Sequence, residues 1–397
     1  MRILIVDDDA AMRELLLQRL ERWGYDVVPA ADGVEAWEIL QNQAISFIIT
    51  DWMMPKLDGL ELCRRIREGR FGRYIYIILL TAKNSKDELI KGMEAGADDF
   101  LIKPFNAGEL KVRIRAGERI VRLESNLEEQ NKKLQETYSR IRADLDAAVT
   151  MQRSLLPNRA LVVPGFRCEW IFAPSHFVAG DIFNVFQLDE HRIGFYLLDV
   201  AGHGIPAAML SVTLSKLLSP TVCQGSALMR FIPTPPHYEI AMPAEAVQAL
   251  NQLFQSEEDA MQYFTMVYGI VETRNFRTLF TQAGHPSPIY QPDEAKAELL
   301  GTGGFPVGML PGVTYEEEEL YLHPGDRLFF YSDGIPDCIG KNGERFSVNR
   351  LTAFLEEWRD RPLQDVVAGL EQTLLRWRDS DEFEDDITLL ALEREAG

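Results

Sequence analysis

The feature that most constrains this chain of 397 residues is an apolar residue at every seventh position between residues 120 and 155. Charged and amide side chains fill most intervening positions, and no proline interrupts the stretch from about Asn106 to Leu156. Such a seam predicts a long helix with a partner helix, because one helix alone cannot bury a narrow apolar stripe. The repeating residues are Ile120, Leu127, Leu134, Ile141, Ala148 and Leu155.

The seam predicts a two-chain coiled coil, and therefore a homodimer. At roughly 1.5 Å per residue the helix would span about 75 Å, which is far more than a globular domain needs. Asn106 followed by Glu109 is typical of a capping box at a helix start. A second stripe shifts its phase after Leu134, which weakens the supercoil locally. The alternative is an ordinary long surface helix.

Composition limits the possible partners. The formal net charge of −20 opposes binding to a nucleic-acid backbone or an anionic membrane surface. The four cysteines are far apart and form no CxxC pair, so they indicate neither a zinc site nor a disulfide framework. The longest apolar run, near Tyr74 to Ala82, is too short for a bilayer, and Met1 leads directly into a strand-like run. We expect a cytoplasmic protein with no nucleic-acid or membrane partner.

In residues 1–118, apolar runs of strand length alternate with segments of helical period. This alternation predicts a doubly wound parallel sheet with helices on both faces, in which sites form beyond the carboxyl ends of the strands. The predicted strands are Ile3–Val6, Asp26–Ala30, Ser46–Thr50, Ile75–Leu80 and Phe100–Ile102.

Polar residues stand at the ends of these predicted strands: Asp7, Asp8, Asp51, Thr81 and Lys103. Three carboxylates brought together repel one another and need a hard divalent cation, for which Mg²⁺ is the natural choice. Asp51 could then attack a phosphoryl donor, while Thr81 and Lys103 supply a hydroxyl and a cation to the phosphoryl oxygens.

These residues resemble the CheY-like receiver domain of two-component response regulators. The resemblance implies that Asp51 is the phosphoacceptor, that Asp7, Asp8 and the Met53 carbonyl are further Mg²⁺ ligands, and that Lys103 contacts the phosphate. It also implies a histidine kinase as partner and a cis Lys103-Pro104 bond. The matching motifs are IVDDD at 5–9, TDWMMPKLDG at 50–59, LLTA at 79–82 and IKPF at 102–105.

In residues 157–397, strand-like stretches follow one another as hairpin-like pairs, with amphipathic helices between them. This order favours antiparallel sheets covered by helices, an α/β sandwich. The segment from Pro220 to Pro243 is predicted to be a surface loop. The domains predicted from the whole sequence are therefore 1–118, a coiled-coil linker helix at 119–156, and 157–397.

Acids at strand ends carry the chemistry of this region: Asp181, Asp199, Asp333, Asp385 and Asp386. Convergent carboxylates without a histidine or cysteine cluster suit Mg²⁺ or Mn²⁺ rather than zinc. Two such ions at roughly 3.5 to 4 Å could activate a bridging water for an in-line phosphoryl displacement. The pattern therefore predicts hydrolysis of a phosphate ester.

The region resembles the metal-dependent Ser/Thr protein phosphatases (PPM, protein phosphatase 2C-like), and within them the SpoIIE-like branch. The resemblance implies that Asp199 bridges two Mn²⁺ or Mg²⁺ ions, that Asp333 and Asp385 complete one site, and that Asp181 and the Val200 carbonyl complete the other. We favour Asp385 over Asp386 as the ligand. The motifs are QRSLLP at 152–157, DVAGHGIPAAML at 199–210, QAGHPSPI at 282–289, YSDGIPD at 331–337 and DDITLL at 385–390.

Two positions depart from this branch, which usually has Gly-Gly-Asp where Ala179 begins the triplet and an aspartate where Asn184 stands. His203 and His285 are candidate general acids, although in the family they sit in structural turns.

Together the resemblances imply a response regulator whose Asp51 phosphorylation controls a Ser/Thr phosphatase. In this branch the substrate is commonly a phosphorylated STAS-type anti-sigma factor antagonist. The alternative is a non-catalytic adaptor or anti-sigma-type binding module regulated by the receiver.

Overall fold

The chain forms two compact units, Met1–Arg140 and Ile141–Gly397. The computed structural model describes residues 1–69, 71–82, 86–157, 163–221, 226–235, 237–255, 263–378, 380 and 383–395. Within these residues, no helix combines the length and the apolar composition that a bilayer crossing requires.

The first unit contains a five-stranded parallel sheet with strand order β2-β1-β3-β4-β5. This is the flavodoxin-like order of doubly wound folds, so the predicted fold class is confirmed. Residues 3–6 and 47–50 are fully buried runs, as expected for strands covered on both faces. The elements are β1 (Arg2–Val6), α1 (Ala10–Arg22), β2 (Asp26–Ala30), α2 (Gly33–Asn42), β3 (Phe47–Asp51), α3 (Gly59–Glu68), β4 (Tyr76–Thr81), α4 (Lys86–Glu94) and β5 (Asp99–Ile102).

Helix caps fix where the loops at the carboxyl edge of this sheet begin and end. The Asp9 carboxylate accepts a hydrogen bond from the Ala11 amide and thereby starts α1. Asp58 caps α3 in the same way through the Glu61 amide. The short loop left after β1 holds Asp7 and Asp8.

A single helix, α5 (Ala107–Arg153), follows the parallel sheet and includes residues of both units. Its start is capped as predicted, since the Asn106 side chain accepts a hydrogen bond from the Glu109 amide at 2.8 Å. The helix ends at Arg153, and turns carry the chain on to Leu156. The predicted seam is exposed within one chain at Leu127, Leu134 and Ile141, which are 52–67% accessible.

The second unit contains two five-stranded antiparallel sheets, ordered β15-β12-β11-β8-β7 and β14-β13-β16-β17-β6. The elements are β6 (Phe166–Ala173), β7 (Ile182–Gln187), β8 (Arg192–Val200), α6 (Ile205–Leu217), β9 (Met229–Phe231), β10 (Tyr238–Ile240), α7 (Pro243–Phe254), β11 (Phe264–Glu272), β12 (Arg277–Ala283), β13 (Ile289–Gln291), β14 (Glu298–Leu299), β15 (Glu317–Tyr321), β16 (Arg327–Tyr331), α8 (Gly334–Asp337), α9 (Ser347–Glu357), α10 (Leu363–Arg378) and β17 (Ile387–Arg394).

The two sheets face each other across an aromatic and aliphatic core. The rings of Phe195 and Phe330, one from each sheet, have centroids 4.7 Å apart. Helices α6 and α7 pack on the outer face of the first sheet, while α9 and α10 pack on the second. The predicted α/β sandwich is therefore confirmed, as four layers.

Two parts of this unit differ from the sequence prediction. The described part of the predicted Pro220–Pro243 loop includes a hairpin, in which β9 and β10 pair antiparallel. Strand β15 lies at a sheet edge and reads Glu317, Glu318, Glu319 in sequence, a composition that does not indicate a strand. Its pairing with β12, rather than its own propensity, defines it.

Candidate functional sites

Three carboxylates meet at the carboxyl edge of the parallel sheet. One oxygen from each of Asp7, Asp8 and Asp51 lies within 4.8 Å of the others. Asp7 is fully buried, Asp51 is partly buried and Asp8 is exposed. The sequence prediction that strand ends would bring these acids together is confirmed, and oxygen ligands at this spacing fit a hard divalent cation.

Lys103 is the cation of this cluster. Its ammonium lies 2.8 Å from Asp51 and 2.9 Å from Asp7. Burial lowers the pKa of Lys103, but its hydrogen bonds to the two carboxylates outweigh that effect and leave the pKa raised. Burial also raises the pKa of Asp51, although Lys103 opposes the change. Lys103 is therefore held charged beside the candidate phosphoacceptor.

The remaining predicted receiver residues lie on the neighbouring strands and loops. Thr81 is the buried last residue of β4, and its carbonyl accepts a hydrogen bond from the Lys103 amide at 2.7 Å. Met53 stands two residues after Asp51, in the loop between β3 and α3. The Lys103-Pro104 bond is cis, as the resemblance implies.

The predicted acids of the second unit come from four different strand ends. Asp181 directly precedes β7, and Asp199 is the penultimate residue of β8. Asp333 follows β16 by two residues, and Asp385 precedes β17 by two. Within the described residues no three of their oxygens lie within 4.8 Å of one another, unlike the receiver trio.

Electrostatic coupling nevertheless joins these acids into one cluster. Burial raises the pKa of Asp199 to about 7, and the charges of Asp333 and Asp385 contribute. Burial likewise raises the pKa of Asp181 well above its usual range, with Asp199 and Asp386 adding to the effect. Burial and Asp385 raise the pKa of Asp333. Burial and mutual repulsion disfavour the ionised forms of these acids, and a bound cation would offset both effects.

Asp181 provides the test of whether a metal fits here. It is only 1% exposed, and neither carboxylate oxygen has a hydrogen-bond partner among the described residues. Burying an unpaired carboxylate is costly, so a buried charge is normally paired or bound to a metal. The donor set, carboxylates and backbone carbonyls, fits Mg²⁺ or Mn²⁺.

Asp386 has a different function from the other acids. Its carboxylate accepts hydrogen bonds from the Ser175 amide and hydroxyl and from the Gly180 amide, at 2.7 to 2.9 Å. Asp385 is exposed and accepts a hydrogen bond from the Asp386 amide. Asp386 therefore ties two loops together, while Asp385 is the more accessible neighbour. The sequence alone contains no signal for this difference.

Three polar side chains near the acids also have defined contacts. His285 is buried, its Nδ1 lies 2.9 Å from the Thr265 hydroxyl, and burial lowers its pKa to about 3. A neutral, enclosed imidazole of this kind is a poor proton donor at neutral pH. The rings of His203 and His176 lie 5.0 Å apart between centroids. Asn184 donates a hydrogen bond to the Leu155 carbonyl at 3.2 Å.

The fold is that of a receiver domain followed by a domain of the PP2C type. Residues 189–395 match the family described as "Stage II sporulation protein E (SpoIIE)", which is more than half of the chain, and the chain belongs to this family. Residues 3–115 match the response regulator receiver domain.

Individual proteins match each part. Response regulator MprA of Mycobacterium sp. (strain KMS) is 49% identical over 115 residues, which are 29% of this chain and 49% of that protein. The chain therefore spans about half the length of the curated relatives it matches. The structural alignment with the SiaA-PP2C domain of Pseudomonas aeruginosa covers 65% of this chain and 98% of the SiaA structure, at 21% identity and a TM-score of 0.54. The alignment with chemotaxis response regulator CheY4 of Vibrio cholerae covers 29% of this chain and 97% of the CheY4 structure, at 32% identity and a TM-score of 0.28.

Proposed function

We propose that this chain is a response regulator whose phosphorylation on Asp51 controls a metal-dependent Ser/Thr protein phosphatase. The observation that carries the enzymatic part is the carboxylate of Asp181, which is buried with no hydrogen-bond partner in the part of the chain that the structure describes and is affected by the charge of Asp199. We assign residues 1–118 to the receiver, 119–156 to the linker helix and 157–397 to the phosphatase.

In the phosphatase domain, Asp199 would contact two Mn²⁺ or Mg²⁺ ions. Asp181 and the Val200 carbonyl would complete one site, and Asp333 and Asp385 the other. When bound, the ions supply a water of lowered pKa and offset the charge of the phosphoryl group. The carboxylates would remain ionised around the metal ions. Their burial would exclude other ligands from that side of the ions.

Asp385 is preferred to Asp386 as the ligand because of what each carboxylate already does. Asp386 uses both oxygens to accept hydrogen bonds from Ser175 and Gly180. Asp385 is exposed, and its charge raises the pKa of Asp199 more than the charge of Asp386 does. Recruiting Asp386 would disturb three hydrogen bonds that tie two loops together, whereas recruiting Asp385 would disturb at most the one it accepts from the Asp386 amide.

In the receiver, Asp51 would accept the phosphoryl group from a histidine kinase. Asp7, Asp8, Asp51 and the Met53 carbonyl would bind Mg²⁺. Lys103, held between Asp51 and Asp7, would contact the phosphoryl oxygens once they form, and Thr81 would donate its hydroxyl. The spacing of the three carboxylates and the charged Lys103 support this assignment.

Resemblance supports the substrate and the setting. SpoIIE-like phosphatases commonly act on a phosphorylated STAS-type anti-sigma factor antagonist, and we propose such a phosphoprotein here. A cytoplasmic location agrees with Cys63, Cys168 and Cys338, which form no disulfide; Cys223 lies outside the described residues. The exposed seam of α5 supports a homodimer through a coiled coil.

Manganese-dependent hydrolysis of p-nitrophenyl phosphate by the full chain tests the enzymatic proposal. Asp199→Asn should abolish turnover, while Asp360→Asn, at an exposed aspartate between α9 and α10, should retain it. The same assay with beryllofluoride, as a stand-in for phospho-Asp51, gives the direction of receiver control. Absence of turnover with either Mg²⁺ or Mn²⁺ would instead favour the non-catalytic adaptor.

A further inference from the structure

Gln152, in the last turn of α5, forms a two-bond clasp on the phosphatase domain. Its side-chain amide donates to the Ala179 carbonyl at 2.7 Å, and its side-chain oxygen accepts from the Ala179 amide at 3.0 Å. The same amide nitrogen lies 3.3 Å from the Ser211 hydroxyl on α6. One side chain thus satisfies both polar groups of one buried residue.

The burial of Gln152 is unusual for its helix. Every residue of α5 from 118 to 151 is exposed or partly exposed, whereas Gln152 is only 3% accessible. A buried amide side chain is tolerated when its donors and acceptor are paired, as they are here. An apolar residue would leave the amide and carbonyl of Ala179 without these partners.

Ala179, the residue that Gln152 binds, begins the short segment that leads to Asp181. Ala179 is held by Gln152, and the next amide, that of Gly180, donates to Asp386 at 2.7 Å. Gly180 also packs closely, since a Cβ on it would lie 3.2 Å from the Val200 carbonyl oxygen. The backbone before Asp181 is therefore held from two directions.

The Asp181 carboxylate has no comparable support of its own. By distance and angle neither of its oxygens has a hydrogen-bond partner among the described residues, although the Thr388 and Ser332 hydroxyls oppose the rise in its pKa that burial causes. Its orientation therefore depends mainly on the backbone of Ala179 and Gly180. Loss of the Gln152 hydrogen bonds would therefore change where Asp181 points, while the hydrogen bond to Asp386 would still hold Gly180.

We propose that Gln152 is a positioning residue for the phosphatase metal site, which sets divalent-cation affinity by fixing the backbone that delivers Asp181. The proposal rests on the metal-binding function proposed above. It makes the end of the linker helix a direct support of the site, although Gln152 itself touches neither metal nor substrate. Partners that orient metal ligands in this way typically change affinity 10- to 100-fold when they are removed.

Gln152→Met in the full chain tests the proposal, because methionine has a similar length without the paired hydrogen bonds. Gln135→Met, at an exposed position of the same helix, is the matched control. Gln152→Asn, which keeps the amide on a shorter arm, is measured in parallel. All variants carry Asp8→Asn and Asp51→Asn, so that the receiver carboxylates contribute little to the titration.

Manganese binding is followed by the electron paramagnetic resonance signal of free Mn²⁺, which does not depend on turnover. We expect the half-saturating Mn²⁺ concentration to rise roughly ten-fold or more in Gln152→Met and to stay unchanged in Gln135→Met. Turnover of Gln152→Met should recover at saturating Mn²⁺, because the catalytic acids are intact. A purely structural role would instead lower turnover at every metal concentration.

Wild-type affinity in a folded Gln152 variant would overturn the proposal. Failure of both Gln152 variants to fold would overturn it too, since the residue would then support the whole domain. If the Mn²⁺ affinity of the chain with a wild-type receiver depends on Gln152 but the chain hydrolyses nothing, the proposed activity fails and the positioning role stands. If it hydrolyses p-nitrophenyl phosphate with affinity independent of Gln152, the reverse holds.

Discussion

The ammonium of Lys103, which follows β5, lies 2.8 Å from the carboxylate of Asp51, the last residue of β3, and β4 lies between these two strands in the sheet. Lys103 is 21% exposed in its side chain and Asp51 14%, so water screens the pair only partly. A phosphoryl group on Asp51 would add negative charge directly beside a cation that is already in position. The cation that would contact the phosphoryl oxygens is therefore in place before Asp51 is phosphorylated.

Asp51→Asn should abolish receiver phosphorylation. We expect the wild-type chain to gain acid-labile phosphate from acetyl phosphate in the presence of Mg²⁺, and the variant to gain none. The reason is that an amide cannot accept the phosphoryl group. Asp87→Asn, at an exposed position of α4, should label as the wild type does. Equal labelling of Asp51→Asn would place the phosphoacceptor elsewhere.

Asp385→Asn should weaken metal binding, whereas Asp386→Asn should lower the stability of the domain. Asp386 is 7% exposed and accepts three hydrogen bonds, so its substitution should destabilise the domain by roughly 1–3 kcal/mol. Asp385→Asn should instead weaken Mn²⁺ binding with little change in the urea midpoint. Metal titration and urea unfolding of both variants measure the two effects. Weaker metal binding in Asp386→Asn alone would reverse the assignment.

The fold and the main acids could be predicted because each depends on local patterns. In a parallel sheet the carboxyl ends of all strands lie at one edge, so Asp7, Asp51 and Lys103 are brought together by topology alone. The cap at Asn106 and the long helix follow from residues close in sequence.

The clasp of Gln152 and the anchoring by Asp386 could not be predicted in this way. Their partners are 27 and 206 residues away, and neither contact leaves a periodic signal in the sequence. Glutamine near a helix end is usually exposed, so the burial of Gln152 follows only from the packing of the last turn of α5 within the second unit. Composition does not indicate short edge strands such as β15 for a related reason, since pairing rather than composition defines them.

The raised pKa of Asp199 predicts a pH-dependent stability in the presence of EDTA. Its pKa is about 7 in the folded chain against an ordinary value of 3.8, so the folded state holds a proton that the unfolded state has lost between these values. The free energy of unfolding should therefore fall as pH rises from about 4 to about 7, and this contribution should be constant above.

Urea unfolding at pH 5 and pH 7.5 measures this change. Asp199→Asn should lose less stability between the two values than the wild type, while Asp360→Asn should match the wild type. An identical loss in Asp199→Asn would contradict the assignment. Because a ligand must be ionised, Mn²⁺ affinity of the wild type should rise over the same interval.

The exposed seam of α5 predicts an association that one substitution should break. Leu134 is 67% exposed within a single chain, so Leu134→Lys should leave the monomer intact while placing charge in a coiled-coil interface. Light scattering at micromolar concentration should give a dimer for the wild type and a monomer for the variant. Gln135→Lys, off the predicted seam, should remain dimeric. A monomeric wild type in both phosphorylation states would contradict the proposed homodimer.

The continuity of α5 predicts that receiver control depends on an intact helix. Ala143 and Ala147 are exposed, so replacing both by glycine should weaken the helix by about 1 kcal/mol at each position without disturbing a packed side chain. We expect the double variant to keep basal phosphatase activity and to lose most of its response to beryllofluoride. Ala143→Gln with Ala147→Gln, two good helix formers, is the matched control and should respond as the wild type does. An unchanged response in the glycine variant would mean that the signal does not pass along α5, and that the receiver acts on the phosphatase by another route.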